Sequence, residues 1–380
     1  MNKTTPGTTD RPFRFFDNRE KYLMFVTTCG EKQVVAERIG RELPKLNPGP
    51  PALRLFDAGM GDGTVLAMVL RDLHHRMPTV PFLVVGKEIS REDVRITADK
   101  LADRFHEHPQ MVVVITNMFY SEAPSLFPNR PEAQAAINWR EVALTGSTAH
   151  EFDAQIKHQH GFVTDGWQTK ASPTTGNPLY VKPSVLVLYR ADQRFVLDSV
   201  IPRQGQTDHT YDLIIVSQPY RARSSAALKV KNVLAPLARA LAPGGRMLTV
   251  QSTGRDPGME IIRSVWPDEN PFTTPRDVLL DTMRASLESD MPDLIYDDMS
   301  DAEIRYHLQL APDEAVSNIG TSTLLAAWNA AVYVAQIEDD RLNEAMSQGQ
   351  YLDDTQRILA EHGGLWFRDE CFTVSRAPRT

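Results

Sequence analysis

Residues 53 to 70 read LRLFDAGMGDGTVLAMVL: an apolar run, a carboxylate, glycines at 59, 61 and 63, and a second apolar run. No other stretch limits the fold as strongly. An apolar run ended by closely spaced glycines reads as a strand entering a tight turn. Val65, Val69, Leu73 and Met77 then recur on one face of a helix. A turn of this kind leaves bare backbone at a helix N-terminus, where a small polar ligand can approach closely.

The same grammar repeats. FLVVGKE (82–88) and MVVVITN (111–117) are short continuous apolar strands of the kind buried on both faces of a parallel sheet. Between them, Ser90 and Asp93 open a helix with Val94, Ala98, Leu101 and Phe105 inward. Upstream, the Thr28-to-Glu31 spacing predicts a capping box, with a helix carrying Val35, Ile39 and Leu43 to about Pro44. The alternation pauses after Asn117 and resumes at YDLIIVS (211–217), a helix over about 225–241 and RMLTVQS (246–252). The intervening residues predict a helix after Pro131, another opened by Thr148 and Glu151, a Pro/Gly-rich stretch at 172–183 and a hairpin over 185–200. Beyond 252, Leu325, Trp328, Val332 and Ala335 predict one face of a long helix, and LWFRDECFTVSR (365–376) a closing strand.

This gives an α/β fold: a doubly wound, mostly parallel sheet with an inserted subdomain and a helical C-terminal extension. The expected division is 1–50, an N-terminal tail and helix; 51–120 with 211–254, the ligand-binding core; 121–210, an inserted lid; and 255–380, the helical extension ending in the closing strand. Net charge is −8, from 41 basic and 49 acidic residues, so no global field draws the chain to nucleic acid or anionic membrane. Cys29 and Cys371 are too few for a disulfide framework and have no zinc spacing. His158 and His160 with Asp153 lack a third firm ligand, so no metal is expected. The first ten residues read as a loose polar tail, and the apolar stretch Leu324 to Ile337 is too short to span a bilayer. A cytoplasmic setting without a membrane partner is therefore expected, with self-association left open.

The glycine spacing is G-x-G-x-G. It is neither the G-x-G-x-x-G of dinucleotide folds nor a P-loop, since no lysine follows Gly63. LFDAGMGDGT instead resembles the first motif of class I S-adenosylmethionine-dependent methyltransferases, and the resemblance extends in order over residues 53–118 and 211–252. The resemblance implies S-adenosylmethionine as cofactor. Its methionine part would lie on Gly59, Gly61 and Gly63, and Asp57 would help hold its ammonium. Glu88 would take the ribose hydroxyls, Ile89 would lie against the adenine, and Asn117 would read the adenine amino group beside Met118. SQPY (217–220) resembles the [N/D/S]-P-P-[Y/F] segment of enzymes that methylate amide or base nitrogens, with Gln218 in place of the first proline. Ser217 and Tyr220 are thus the candidate catalytic residues, Ser217 also bordering the cofactor.

Methyl transfer is an in-line displacement that needs alignment more than a catalytic dyad. The expected function is methylation of a small-molecule acceptor, with the lid supplying acceptor contacts, Trp167 among them. The alternatives are an acceptor in RNA, DNA or a protein side chain, which SQPY and the nearby Arg221, Arg223, Lys229 and Lys231 would suit, or cofactor binding without turnover.

Overall fold

The computed structural model describes residues 19–173, 176–297, 302–309, 320–348 and 351–378; the tail expected over the first ten residues lies outside them. Helices α1 (Arg19–Thr28) and α2 (Glu31–Gly40) precede the alternation β1 (Leu53–Asp57), α3 (Thr64–Arg76), β2 (Phe82–Lys87), α4 (Arg91–Asp99), α5 (Leu101–Glu107), β3 (Met111–Thr116). Next come α6 (Pro131–Ala135), β4 (Asn138–Leu144), α7 (Ala149–Lys157), α8 (His160–Gly166), β5 (Thr169–Ala171), β6 (Pro178–Tyr180), β7 (Ser184–Arg190) and α9 (Arg194–Leu197). The alternation resumes with β8 (Tyr211–Ser217), α10 (Ala226–Lys229), α11 (Ala235–Arg239) and β9 (Leu241–Ser252). There follow α12 (Pro257–Val265), α13 (Arg276–Leu287), β10 (Leu294–Asp297), β11 (Glu303–His307), α14 (Thr321–Ala335), α15 (Asp339–Gln348), α16 (Tyr351–His362) and β12 (Trp366–Arg376).

The main sheet runs β10-β12-β9-β8-β1-β2-β3-β7-β4, with β11 added on β12. From β9 to β3 the strands are parallel, whereas β12 is antiparallel between β9 and β10. The fold is the expected doubly wound, mostly parallel α/β sheet. Alternation within each central strand buries both faces. Leu53 and Leu55 pack with Val69 and Leu73 of α3, and Phe56 packs on the opposite face with Leu237 of α11. A third apolar cluster joins α1, α12, α14 and α16 through Phe25, Ile262, Trp328 and Leu359.

Three local expectations are corrected. The 185–200 hairpin does not form: β7 is one strand, antiparallel to β3 and parallel to β4, and the chain then turns into α9. Every residue of β7 is buried, which is why SVLVLYR looks like any core strand. The insertion therefore widens the main sheet and carries only β5 and β6 as a separate ribbon. Thr28 caps no helix, because it ends α1 and its hydroxyl donates to the Met24 carbonyl at 2.6 Å. The stretch that forms α1 has its apolar residues in one block, Leu23 to Val26, with no helical stripe to reveal it. Finally, Leu325 is 37% exposed, and α14 buries Leu324, Ala327, Trp328 and Val332 instead.

One polar tie crosses these layers. Glu42, just after α2, is fully buried and accepts from Arg38 Nη1 at 2.9 Å, Arg246 Nε of β9 at 2.8 Å and Lys45 Nζ at 3.1 Å. Burial alone would raise its carboxyl, but the hydrogen bonds from Arg38 and Arg246 outweigh it and hold the pKa below the usual range. Removing one partner of a buried pair leaves the other charge uncompensated, at a cost of about 3–5 kcal/mol. Glu42→Leu should therefore lower unfolding stability by up to about that amount in chemical denaturation, since Arg38, Arg246 and Lys45 lose a shared buried acceptor. Because the folded-state pKa lies below that of the unfolded chain, the wild-type contribution is complete at neutral pH and disappears as pH falls through the acid range.

Candidate functional site

Strand order reverses beside β1: the chain moves outward to β2 and β3, then returns to place β8 on the other edge of β1. At such a reversal the strand ends diverge into the crevice where open α/β sheets bind ligands. Asp57 ends β1, Ser217 ends β8 and Glu88 directly follows β2, so three of the expected site residues reach this one edge.

Backbone requirements shape the glycine turn. Gly61 and Gly63 hold φ of +51° and +75°, and Gly63 precedes α3 as its N-cap. The turn is tied down from outside. Glu88 Oε2 accepts from Gly61 N–H at 3.0 Å, and Thr97 Oγ1 donates to the Gly61 carbonyl at 2.9 Å. Glu88 Oε1 accepts from the N–H groups of Ile89 and Ser90 at 2.7 and 2.8 Å, while Ser90 Oγ caps α4 by accepting from Asp93 N–H. Burial raises the Glu88 pKa.

The crevice measures about 70 Å³ and is bordered by Asp57, Gly59 and Ser217 from the sheet, by Glu31 and Lys32 of α2, Phe25 of α1 and Tyr333 of α14. Asp57 Oδ1 accepts from Gly59 N–H at 3.2 Å, and burial pushes its carboxyl up to about 7. Lys32 Nζ lies 3.7 Å from Glu31; against the opposing effect of burial, Glu31 and Asp62 hold its ammonium above the usual range. The crevice thus sets an ammonium beside two carboxylates, a complement for a zwitterion. A Cβ at Gly59 would meet nothing nearer than the Ser217 carbonyl at 3.9 Å, so the space before this glycine is open. Tyr22 of α1 stands over Gly61, its hydroxyl 3.2 Å from where a Cβ would lie. Sequence reasoning missed Lys32, Tyr22 and Tyr333, because they lie on helices outside the glycine turn and the strands.

Other expected residues are placed differently. Asn117 is buried and its amide is spent: Nδ2 donates to the Gly166 and Lys182 carbonyls, each at 2.9 Å, and Oδ1 accepts from Ser184 N–H at 2.8 Å. It locks the insertion to β3, and at 1% exposure it presents no surface to an adenine. Met118 is fully buried in the core. Trp167 is 2% exposed and its Nε1 donates to the Glu88 carbonyl at 2.8 Å, so it braces the second strand end and presents no stacking face. Ile89 stays half-buried beside Glu88.

The SQPY segment divides the crevice from a larger cavity of about 410 Å³, and both share Gln218 and Ser252 as wall. Ser217 faces the crevice, while Tyr220 faces the larger cavity and donates its hydroxyl to Gln251 Oε1 at 2.9 Å. Where a proline was expected, Gln218 has φ +49°, and its amide donates to Ser252 Oγ at 2.9 Å and Asp369 Oδ2 at 3.1 Å. Side-chain bonds thus supply the rigidity the missing proline would have given. Tyr120 closes the segment from above, donating to the Pro219 carbonyl at 3.0 Å. Of the basic run after SQPY, Arg223 pairs with Glu269 and Lys229 is buried, while Lys231 is exposed. Among the described residues no cluster of three or more His, Cys, Asp or Glu is arranged to hold a metal, and no helix is long and apolar enough to cross a membrane.

No family model matches the sequence, and no curated protein matches it. Among solved structures the chain is similar to a protein of Galdieria sulphuraria assigned as a sarcosine dimethylglycine methyltransferase, with 8% identity, TM-score 0.37, 92% of this chain and 86% of the other. It is also similar to a geranyl diphosphate methyltransferase, with 12% identity, TM-score 0.33, 90% of this chain and 77% of the other. A third is the [4+2]-cyclase SpnF, with 12% identity, TM-score 0.33, 99% of this chain and 90% of the other. Likeness at these scores carries no functional argument, and the site is read from its own residues.

The glycines separate by role. Gly63→Ala places a Cβ at positive φ and 2.7 Å from Thr97 Oγ1, and should cost about 1–3 kcal/mol of unfolding stability. Gly59→Ala meets no such obstacle and should change stability by less than about 1 kcal/mol. Thermal unfolding of the two variants checks the difference.

Proposed function

We propose that the protein is an S-adenosylmethionine-dependent methyltransferase whose acceptor is a small molecule bound in the larger cavity. The observation that carries this reading is the crevice at the strand reversal, which sets Lys32 beside Asp57 and Glu31 at an open glycine and shares a wall with a second, polar cavity. The donor set fits the amino-acid end of the cofactor. Lys32 would meet its carboxylate, Asp57 its ammonium, and Gly59 would leave room for its chain. Glu88 would accept from one ribose hydroxyl, on the one lone-pair site of Oε2 left beside its three backbone bonds. Ile89 would flank the base; Asn117 and Met118 have no part in this arrangement. At about 70 Å³ the crevice takes one end of the molecule, since whole small-ligand sites start near about 300 Å³. Tyr22 of α1 and Tyr333 of α14 would therefore move aside on entry and close again to exclude water.

When bound, the cofactor supplies a methyl carbon already activated by a sulfonium. The chain supplies alignment and dryness. Ser217 and the rigid Gln218 backbone form the partition across which an acceptor atom in the cavity would face that carbon. The net charge of −8, with Arg223 paired to Glu269 and Lys229 buried away from the surface, favours a small acceptor over a nucleic-acid strand. Incubation with methyl-labelled cofactor and fractionated cell extract should place label in the low-molecular-weight fraction. Label confined to RNA, DNA or protein would refute the small-molecule acceptor, and no label in any fraction would refute turnover.

The crevice also predicts a pH dependence. Free Asp57 titrates at about 7, and a bound ammonium would keep it ionised. Binding below that pH therefore expels a proton, and affinity for S-adenosylhomocysteine should fall by up to about tenfold per unit below pH 7 while staying level above it. Calorimetry across pH 5.5–8 (roughly the range spanning this titration) checks the profile, and Asp57→Asn should flatten it.

A further inference from the structure

The walls of the larger cavity hold an unbalanced charge. Four Lys or Arg side chains among the described residues are buried: Arg38, Arg104, Arg190 and Lys229. The first three each have a carboxylate partner, in Glu42, Glu107 and Asp192. Lys229, 3% exposed, forms no salt bridge among the described residues. Its Nζ donates to Thr274 Oγ1 at 2.5 Å and lies 4.7 Å from the centroid of the Tyr220 ring. An ammonium has three N–H donors, so one hydroxyl and one ring face leave it incompletely satisfied. Buried charges are normally paired, and an unpaired one is costly.

The acids near Lys229 do not supply that pair. Glu370 in the same wall gives Oε1 to Gln251 Nε2 at 2.8 Å and Arg276 N–H at 2.9 Å, and burial raises its pKa. Asp256 spends both oxygens on the backbone N–H groups of Met259 and Arg368. Glu260, at the exposed rim, pairs with His362. Across the rim, Arg255 pairs with Glu303, and Arg263 donates to the Glu269 carbonyl. Glu370 favours the Lys229 ammonium electrostatically but forms no salt bridge with it among the described residues, so Lys229 is the buried cation of this wall without a directly contacting carboxylate.

We infer that the larger cavity binds a small molecule through an anionic group, carboxylate or phosphate, seated on Lys229 between Thr274 and the Tyr220 ring. As the acceptor site, this rests on the methyltransferase reading; as an anion site, it stands on the cavity alone. The anion completes the donors of Lys229 and replaces the water lost on burial. Tyr220 is then a positioning residue: its ring faces the ammonium and its hydroxyl is held by Gln251. Burial pushes the amine down to about 8, so it is charged at neutral pH, and anion affinity should decline as pH rises through that value.

The test uses the full-length protein, with acetate and inorganic phosphate as separate probes and the lysine Nζ resonances followed by NMR. One resonance, missing in Lys229→Met and in Lys229→Arg, should shift saturably with at least one probe. Acetate as the stronger probe identifies a carboxylate ligand, and phosphate a phosphate-bearing one. Lys229→Arg keeps the charge, so it provides the assignment even where the methionine variant does not fold. The inference is overturned when neither probe shifts that resonance, or when the shifting resonance survives in the Lys229 variants. Calorimetry with S-adenosylhomocysteine on the same samples separates the two readings: no heat with an intact anion response refutes the methyltransferase and leaves the anion site standing.

Discussion

Three backbone N–H groups from two different turns converge on one half-buried carboxylate, that of Glu88. The glycine turn after β1, the start of α4 and the end of β2 are held together there. The Glu88 carbonyl in turn receives the indole of Trp167, which brings the insertion under the same control. A charge-assisted bond to a carboxylate is worth roughly twice a neutral one, so this cluster adds to packing in fixing the edge of the sheet. It also holds Gly61 in the positive-φ turn that leads into α3, and with it the open space in front of Gly59.

The crevice is bounded on one side by the sheet and on the other by helices from the two ends of the chain. α1 and α14 pack together through Phe25 and Tyr333, whose rings lie 5.0 Å apart between centroids. α14 also touches the SQPY segment's neighbourhood: the Gln336 amide accepts from Ala222 N–H at 3.1 Å, and the Ala335 carbonyl takes Arg223 at 2.9 Å. Cover and partition are thus one connected unit. α1 and α14 thus form the helical side of the crevice, while the insertion is bonded into the sheet through β7.

Much of this was legible in the sequence where periodicity and turn chemistry agree. LRLFD, FLVVGK and MVVVIT announce strands buried on both faces, and Ser90 and Thr148 cap the helices their spacing forecasts. The strand-end acids Asp57 and Glu88 were found because local spacing places them. Long-range placement was not legible. Nothing in VLVLYRADQRFVLDSV tells one antiparallel strand beside β3 from a hairpin, since both need the same apolar alternation. Asn117 stands at the right strand end, yet its amide is consumed by Gly166, Lys182 and Ser184, partners that become neighbours only once the insertion folds back. Lys32 lies 25 residues before Asp57 on a helix whose pattern speaks only of packing, and its charge acquires meaning only beside the crevice.

The central claim is that the crevice selects a zwitterionic, phosphate-free ligand. Calorimetric titration of the purified protein with S-adenosylhomocysteine and, separately, with NAD tests it most directly. The account predicts saturable binding of the first, weakened by Gly59→Ala without loss of folded protein, and no binding of NAD. Tighter binding of NAD than of S-adenosylhomocysteine would contradict it.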